Sequence, residues 1–292
     1  MPPRLTRFEH PTPVSLTEPP LPRGKDFDGH RFIGLHYRRY EGDLFAGRIS
    51  GYEIGQGDLG DCYFLSSLAA VANGHSRLIR RGIVANDDGT YTVTFWERKR
   101  GVASPVRIRV DTRFPVDRRG HQKFGRSLRS SSRGQVLWPA LFEKAFAAWQ
   151  QGYVHVNQGG DGGFALTALT GTPSRTLTPN KRSRLALWQR LVEGIAAGHP
   201  MVTSTPSTRD LARRTGRADL AGLIDDHYYA IAGAVTRRGE RLVKLYSPLV
   251  DVGLAAVSTP TRRDNARRHT VVSLDDYRRD FDQLVVCALG NR

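Results

Sequence analysis

Apolar residues recur at intervals of three and four immediately after Cys62, in a stretch that ends at Asn73 and Gly74. This spacing puts the apolar side chains on one face of an α-helix, and the Asn-Gly pair supplies a stop. An aspartate at position 61 is well placed to cap the first turn. The pattern therefore predicts an amphipathic helix with Cys62 in its first turn, along which the apolar positions are Phe64, Leu65, Leu68, Ala69 and Ala72.

Two other stretches show the helical period. Residues 137–147 carry Pro139 near their start and are followed by Gly152, so they predict a second helix with both ends marked. A third helix fits residues 184–197, and Gly198 ends it. The residues around 206–222 and 259–269 are polar and rich in arginine, which predicts loops.

Alternation of apolar and polar residues predicts strands elsewhere. Residues 90–96 and 106–110 alternate clearly and predict a β-hairpin. Four β-like runs follow in the second half of the chain, at residues 201–204, 228–232, 242–246 and 283–287. Because the strongest helical patterns precede residue 171 and strand patterns dominate after residue 200, we expect an α+β chain. The predicted parts are an extended proline-rich arm over residues 1–24, a helical subdomain over 25–171 and a β-rich subdomain over 172–292.

Composition places the chain among ordinary globular proteins. It has 292 residues, of which 39% are hydrophobic and 25% charged. No apolar run approaches the roughly 20 residues that a membrane span needs, and the N-terminus lacks the apolar centre of a signal peptide. The two cysteines, Cys62 and Cys287, are too few and too distant for a disulfide framework. We expect a cytoplasmic protein, with delivery by a specialised secretion route left open.

The formal net charge of +16 raises the question of nucleic-acid binding. The arginines are spread along the whole chain, and neither zinc-finger spacing nor an RNA-recognition motif accompanies them. This distribution argues against specific nucleic-acid recognition. It predicts weak, salt-sensitive, non-specific adsorption to polyanions.

The candidate chemistry centres on Cys62. The first turn of a helix favours a thiolate over a thiol, because unpaired N–H groups and the positive end of the helix dipole face it. A turn allowed by Gly57 and Gly60 would bring the Gln56 amide toward the thiol. With the Cys62 backbone N–H, that amide would form a pair of donors for an oxyanion. The alternative is that Cys62 is a small buried hydrophobe at the start of a core helix.

The run from Gln56 to Tyr63, Gln-Gly-Asp-Leu-Gly-Asp-Cys-Tyr, resembles the active-site signature of the calpain family of cysteine proteases. Tyr63 stands where that family usually has tryptophan. Residues 138–147 resemble the family's Trp-x-Ala-Leu-Leu-Glu-Lys-Ala-Tyr-Ala helix. The resemblance implies an α+β, papain-like cysteine protease fold, with a helical N-terminal subdomain, a β-rich C-terminal subdomain and the active site in the cleft between them.

A cysteine protease also needs a histidine as base and acid. Residues 226–231, Asp-His-Tyr-Tyr-Ala-Ile, resemble the calpain Gly-His-Ala-Tyr-Ser-Val run and point to His227. In the family's following Asn-Pro-Trp-Gly motif, asparagine orients the imidazole and tryptophan shields it. Here Ser247 replaces the asparagine and Leu249 the tryptophan.

Two functions follow from these residues. One is a calpain-like cysteine endopeptidase that hydrolyses peptide bonds in protein or peptide substrates with Cys62, His227, Ser247 and Gln56. The other is a catalytically impaired, calpain-like pseudoprotease that binds proteins. The glycine-rich residues 159–163 resemble the family's next segment, which implies substrate-binding roles for Gly160, Gly162 and Gly163.

The resemblance to calpains also implies candidate calcium ligands. Glu53 and Glu143 correspond to carboxylates of the first calcium site of the calpain core. At the second site, Gly253 falls where the family has a glutamate. Losing acidic ligands weakens a calcium site. We therefore expect that no cofactor is required and that calcium, where it binds, is not essential.

Overall fold

The computed structural model describes residues 15–25, 29, 31–216, 220, 222–249 and 268–290. The first 14 residues of the predicted arm and most of the predicted loop at 259–269 lie outside these ranges. The described part of the arm runs along the helix-rich half. Leu16 pairs with Arg109, and the Pro20 carbonyl accepts a hydrogen bond of 3.2 Å from the Tyr153 backbone N–H.

In its described residues, the helix-rich half contains four α-helices: α1 (Cys62–Arg81), α2 (Trp138–Trp149), α3 (Tyr153–Val156) and α4 (Gly162–Thr170). Both predicted helices of this half are confirmed. Helix α1 is longer than predicted, but its backbone leaves helical geometry at His75, with φ −143° and ψ 62°. The predicted stop at Asn73 and Gly74 therefore marks a break, after which the chain resumes a helix.

Ten strands accompany these helices in the described residues: β1 (His36–Arg39), β2 (Gly42–Asp43), β3 (Ile54–Gly55), β4 (Ile83–Ala85), β5 (Tyr91–Lys99), β6 (Val102–Val110), β7 (Arg113–Val116), β8 (Arg126–Ser127), β9 (Ser130–Ser131) and β10 (Gly134–Val136). Strands β5 and β6 form the predicted hairpin, and β4 extends it. Strand β3 pairs antiparallel with β8, which fixes the chain just before Gln56.

The strand-rich half is built on one sheet of six strands: β11 (Ser174–Leu177), β12 (Met201–Ser204), β13 (Tyr228–Arg237), β14 (Glu240–Tyr246), β15 (His269–Ser273) and β16 (Gln283–Cys287). Their order is β11-β16-β12-β13-β14-β15, and every neighbouring pair is antiparallel. The four strands predicted from the sequence lie within β12, β13, β14 and β16.

Among the described residues, three α-helices join this sheet: α5 (Arg184–Ala196), α6 (Thr208–Thr215) and α7 (Leu274–Asp280). Helix α5 was predicted, whereas α6 falls in a stretch predicted to be a loop. Ser207 caps α6 by accepting a 3.2 Å hydrogen bond from the Asp210 backbone N–H. The cap and a single buried apolar residue, Leu211, stabilise this short helix. The sequence did not predict it, because it lacks a repeated helical spacing of apolar residues.

Aromatic rings pack α1 against α2. The rings of Phe64 and Phe146 stack at 3.9 Å with an interplanar angle of 8°, and Phe95 from β5 meets both edge-on. All three side chains are fully buried. Burial of one such side chain stabilises the fold by about 1.5–3 kcal/mol. The helix that carries Cys62 is therefore fixed by its apolar face.

Candidate active site

The turn formed by residues 56–61, immediately before Cys62, packs closely against other parts of the backbone at two glycines. A Cβ at Gly57 would lie 2.0 Å from the Lys123 carbonyl oxygen, and one at Gly60 would lie 2.7 Å from that of Asn157. A side chain fits at neither position. The Asn157 Oδ1 atom accepts a 3.0 Å hydrogen bond from the Gly60 backbone N–H. No signal in the sequence pointed to Asn157, because this contact is made by a residue far along the chain.

Cys62 opens into a cavity of about 310 Å³. The cavity brings together Gln56, Cys62 and His227, which the sequence had singled out separately. Leu249 and Gly160 also line it, as do residues that sequence reasoning did not assign to the site: Gly60, Tyr63, Asn157, Gln158, Gly159, Ile224, Asp225, Asp226 and Tyr228.

The surroundings of the Cys62 sulfur differ from the expected thiolate site. Burial raises the pKa of the thiol from 9.0 to about 12, and the Asp61 carboxylate adds to this effect. The backbone N–H groups of Tyr228 and Tyr63 face the sulfur and lower the pKa, but they do not offset the burial. Burial therefore opposes the thiolate that was expected at this helix start, and the protonated thiol is the favoured form.

Asp61 does not cap α1. Its backbone, at φ −113° and ψ 25°, makes no side-chain capping bond, and its carboxyl group lies fully buried beside that of Glu143. Burial and the neighbouring acid raise the pKa of Asp61 well above its ordinary value. Both Asp61 carboxyl oxygens lack an N–H or hydroxyl donor among the described residues. We infer that Asp61 and Glu143 share a proton, which gives one of these oxygens a donor and leaves the pair with at most one charge.

His227 immediately precedes β13, where Thr205 fixes its backbone. The His227 N–H donates to Thr205 Oγ1 at 3.1 Å, and the His227 carbonyl accepts from the Thr205 N–H at 3.0 Å. The ring meets Tyr229 edge-on at 4.9 Å. Burial lowers the pKa of His227 from 6.5 to about 3, so the imidazole is neutral at physiological pH and can accept a proton.

Ser247 contacts the imidazole of His227. Its Oγ is 2.9 Å from His227 Nε2, which places the serine in the orienting position that the sequence assigned to it. Because Nε2 is engaged there, Nδ1 is the ring nitrogen left to take a proton from the thiol. When Nδ1 accepts, Nε2 carries the hydrogen and donates it to Ser247.

Gln56 is held in the cleft through both its backbone and its side chain. Its N–H donates to the Pro248 carbonyl at 2.7 Å, and its Nε2 donates to the Leu59 carbonyl at 2.7 Å. An amide nitrogen carries two hydrogens, so one remains for a ligand. Exchanging the amide oxygen and nitrogen would set two oxygens against each other at Leu59. The orientation that leaves an N–H available is thus the favoured one.

The three glycines predicted to bind substrate occupy different places. Gly160 lines the cavity, where a Cβ would lie 2.6 Å from the Tyr63 ring. Gly162 and Gly163 are buried in the first turn of α4 and do not line the cavity. The reason is that Asp161 caps α4, accepting from the Phe164 N–H at 2.6 Å, and turns the chain inward. Gly162 and Gly163 were expected to bind substrate, but in the structure they allow close packing of the first turn of α4.

Glu53 and Glu143, the candidate calcium ligands, each give one carboxylate oxygen to a protein donor. The Glu53 Oε1 atom accepts from Trp138 Nε1 at 2.7 Å and belongs to a capping box with Ser50. The Glu143 Oε1 atom accepts from the Gly125 N–H at 2.7 Å. Within the described ranges, no three metal-ligating side chains form a group that could hold an ion. Both carboxylates are engaged by protein donors, whereas calcium requires several convergent oxygens.

A cysteine at the start of a buried helix and a histidine at the start of a strand meet here, between a helix-rich and a strand-rich half. This arrangement is that of the papain-like cysteine proteases. A sequence model described as calpain family cysteine protease matches residues 35–254. Because that match covers more than half of the sequence, the chain belongs to the calpain family.

Individual relatives agree with this assignment. The chain is 29% identical over 213 residues to the calpain-type cysteine protease DEK1 of Zea mays, covering 70% of this chain and 9% of that protein. It is 28% identical over 215 residues to human calpain-14, covering 70% of this chain and 29% of the relative. The chain is 28% identical over 275 residues to a calpain of Schistosoma mansoni, covering 85% of this chain and 35% of that protein. The chain thus matches about a tenth to a third of the length of these relatives.

Among the described residues, no helix combines the length and apolar character needed to cross a membrane.

Proposed function

We propose that this chain is a calpain-like cysteine endopeptidase that hydrolyses peptide bonds in protein or peptide substrates. The observation that carries the proposal is the shared cavity of Gln56, Cys62 and His227, with His227 Nε2 held 2.9 Å from Ser247. A nucleophile, a base and an oxyanion donor are the parts that acyl transfer needs.

Catalysis begins from a neutral thiol and a neutral imidazole. The Cys62 sulfur attacks the substrate carbonyl carbon while its proton passes to Nδ1 of His227. The negative charge that develops on the carbonyl oxygen is stabilised by the remaining Gln56 amide N–H and the Cys62 backbone N–H. Because proton transfer accompanies attack, no thiolate has to persist in the buried cleft.

The tetrahedral intermediate then collapses. His227 gives its proton to the substrate nitrogen as the C–N bond breaks, which releases an amine and leaves a thioester on Cys62. Water enters, gives a proton to His227 and attacks the thioester carbon. Breaking the C–S bond returns that proton to the sulfur and releases the carboxylic acid. Ser247 keeps the imidazole in the orientation that both proton transfers use.

The test compares two cysteines in one protein. Cys287 is buried beside Thr170, and burial raises its pKa. We expect the wild type and Cys287→Ala to cleave an unstructured protein, and Cys62→Ala to lose cleavage. We also expect iodoacetamide to label Cys62 faster than Cys287 in the native protein. Equal labelling rates together with no cleavage would contradict an enzyme and favour a protein-binding role.

A further inference from the structure

Arg268 is a buried cation at the junction between the two halves. It lies one residue before β15 and is 3% exposed. Its Nη2 atom donates to the Ile54 carbonyl at 2.7 Å and to the Tyr52 carbonyl at 3.3 Å, and it also contacts the Tyr246 hydroxyl. Its guanidinium carbon lies 5.0 Å from the centre of the Tyr246 ring. Among the described residues, no carboxylate forms an ion pair with Arg268.

Such a group is costly to bury. Burial lowers the pKa of Arg268 to about 10, and nearby Arg126 contributes in the same direction, but the guanidinium stays charged at neutral pH. Its Nε atom has no hydrogen-bond partner in the described part of the chain. A buried cation that is stabilised only by carbonyl and hydroxyl oxygens contributes little net stability. We therefore look for its role in the relative positions of the segments that it contacts.

The side chain and the backbone of Arg268 act on opposite sides of the site. Through Ile54, the side chain holds the strand that ends immediately before Gln56. Through its carbonyl oxygen, the backbone accepts a 2.9 Å hydrogen bond from the Ser247 N–H. Ser247 in turn orients His227. One residue therefore contacts both the segment of the oxyanion donor and the segment of the imidazole partner.

Tyr246 completes this junction. Its hydroxyl donates to the Ile54 carbonyl at 2.8 Å, so that oxygen accepts from both the tyrosine and Arg268. Two donors on one carbonyl fix its direction. The next link is the hydrogen bond from the Gln56 N–H to the Pro248 carbonyl, at 2.7 Å. The path from Arg268 to the oxyanion donor thus consists of short, directed hydrogen bonds.

We propose that Arg268 is a positioning residue that sets the register between the segment of Gln56 and the segment of Ser247. This inference rests on the proposed protease function. Loss of the guanidinium frees the Tyr52 carbonyl and leaves the Ile54 carbonyl to the Tyr246 hydroxyl alone. The Ile54 carbonyl is then less well fixed, which lets Gln56 move away from the oxyanion position. The hydrogen bond to Ser247 survives, because a backbone atom makes it.

The experiment compares Arg268→Met with Arg268→Lys, and uses Arg279→Met as the control. Arg279 pairs with Asp276 and Asp280 on α7, away from the cleft. Arg268→Met should lower kcat for a fluorogenic peptide by about tenfold to a hundredfold, as expected for a misplaced oxyanion donor. Alkylation of Cys62 by iodoacetamide, which forms no oxyanion, should change by less than about threefold. Lysine should recover part of kcat, because one ammonium can reach one carbonyl.

Hydrogen exchange gives a readout that does not depend on turnover. In Arg268→Met the backbone amide of Gln56 should exchange faster, while that of Ser247 stays protected. Unchanged kcat or unchanged Gln56 protection in a folded Arg268→Met protein would overturn the proposal, as would equal acceleration at both amides. If the methionine variant does not fold, Arg268→Lys must show the same selective changes in smaller measure. A wild type without cleavage would contradict the protease function, and the exchange data would still decide the role of Arg268.

Discussion

The Nε2 atom of His227 lies 2.9 Å from the Oγ atom of Ser247, and both side chains are buried. The same Oγ accepts a 3.2 Å hydrogen bond from the Leu249 backbone N–H. A hydroxyl oxygen has two lone pairs, so it can serve both donors. The imidazole is therefore oriented by a short side chain that a single rotation can move, and the Leu249 N–H restrains that rotation.

The first prediction concerns this bond. Ser247→Ala should lower kcat/KM for a fluorogenic peptide by about tenfold, because an imidazole with no acceptor at Nε2 spends less time facing the sulfur. Ser247→Asn should raise it, since a carboxamide offers a fixed acceptor. Combining it with Leu249→Trp, which covers the bond from water, should raise kcat/KM by about tenfold.

Partly exposed Ser131 provides the matched control, because Ser131→Ala removes a hydroxyl away from the cleft. It should leave kcat/KM unchanged. Melting temperatures of all the variants separate loss of orientation from loss of folding. Complete loss of cleavage in a folded Ser247→Ala protein would show that the serine is indispensable and not a weaker substitute for an amide.

The second prediction concerns the protonation state of Cys62. Burial raises the pKa of the thiol to about 12, so it stays protonated below that value and ionises only in alkali. The difference in ultraviolet absorbance between the wild type and Cys62→Ala should therefore show no thiolate band at neutral pH. The same signal should grow at strongly alkaline pH while the protein remains folded. A neutral-pH thiolate signal that disappears in His227→Gln would show that a thiolate–imidazolium pair forms at rest.

The third prediction concerns the buried acids beneath Cys62. Burial raises the pKa of both Asp61 and Glu143 in the folded protein above the values of the unfolded chain. The unfolded chain therefore releases its protons first, and the stability that these groups contribute at low pH declines as pH rises through the folded values. Asp61→Asn supplies a permanent donor to Glu143. It should raise the free energy of unfolding by about 1–2 kcal/mol at mildly alkaline pH and by less in acid.

Urea denaturation across pH measures this difference, and Asp87→Asn at an exposed position is the control. The control should leave the slope of stability against pH unchanged. A parallel pH dependence in wild type and Asp61→Asn would mean that the two carboxyl groups do not share a proton.

The fourth prediction concerns calcium. Glu53 and Glu143 each have one carboxylate oxygen engaged, by Trp138 and Gly125 respectively, which leaves fewer oxygens for an ion. A calcium chelator should leave kcat/KM within about twofold, and added calcium should not raise the melting temperature, because a ligand stabilises only the state that binds it. Complete suppression of cleavage by chelator, restored by calcium alone, would contradict this expectation.

Several features of this protein followed from the sequence alone. The helices at Cys62 and Trp138 and the strands at Tyr228 and Gln283 are set by local periods of apolar residues, which fix the face that each element buries. The glycine turn before Cys62 and the order of cysteine before histidine led to the calpain family, and the fold agrees. These are properties of contiguous stretches, so a sequence displays them directly.

Other features were decided only when distant segments packed together. Asp61 could cap its helix, but the buried Glu143 carboxyl competes for it, and Gly163 packs against Ser174 instead of lining the cleft. The same packing turns a helix start that favours a thiolate into a buried site that favours a thiol. Arg268 gave no signal among the scattered arginines, because its role depends on carbonyl oxygens from Tyr52 and Ile54. Local patterns fix which surfaces are buried, whereas burial and long-range hydrogen bonds fix the charge and direction of each catalytic group.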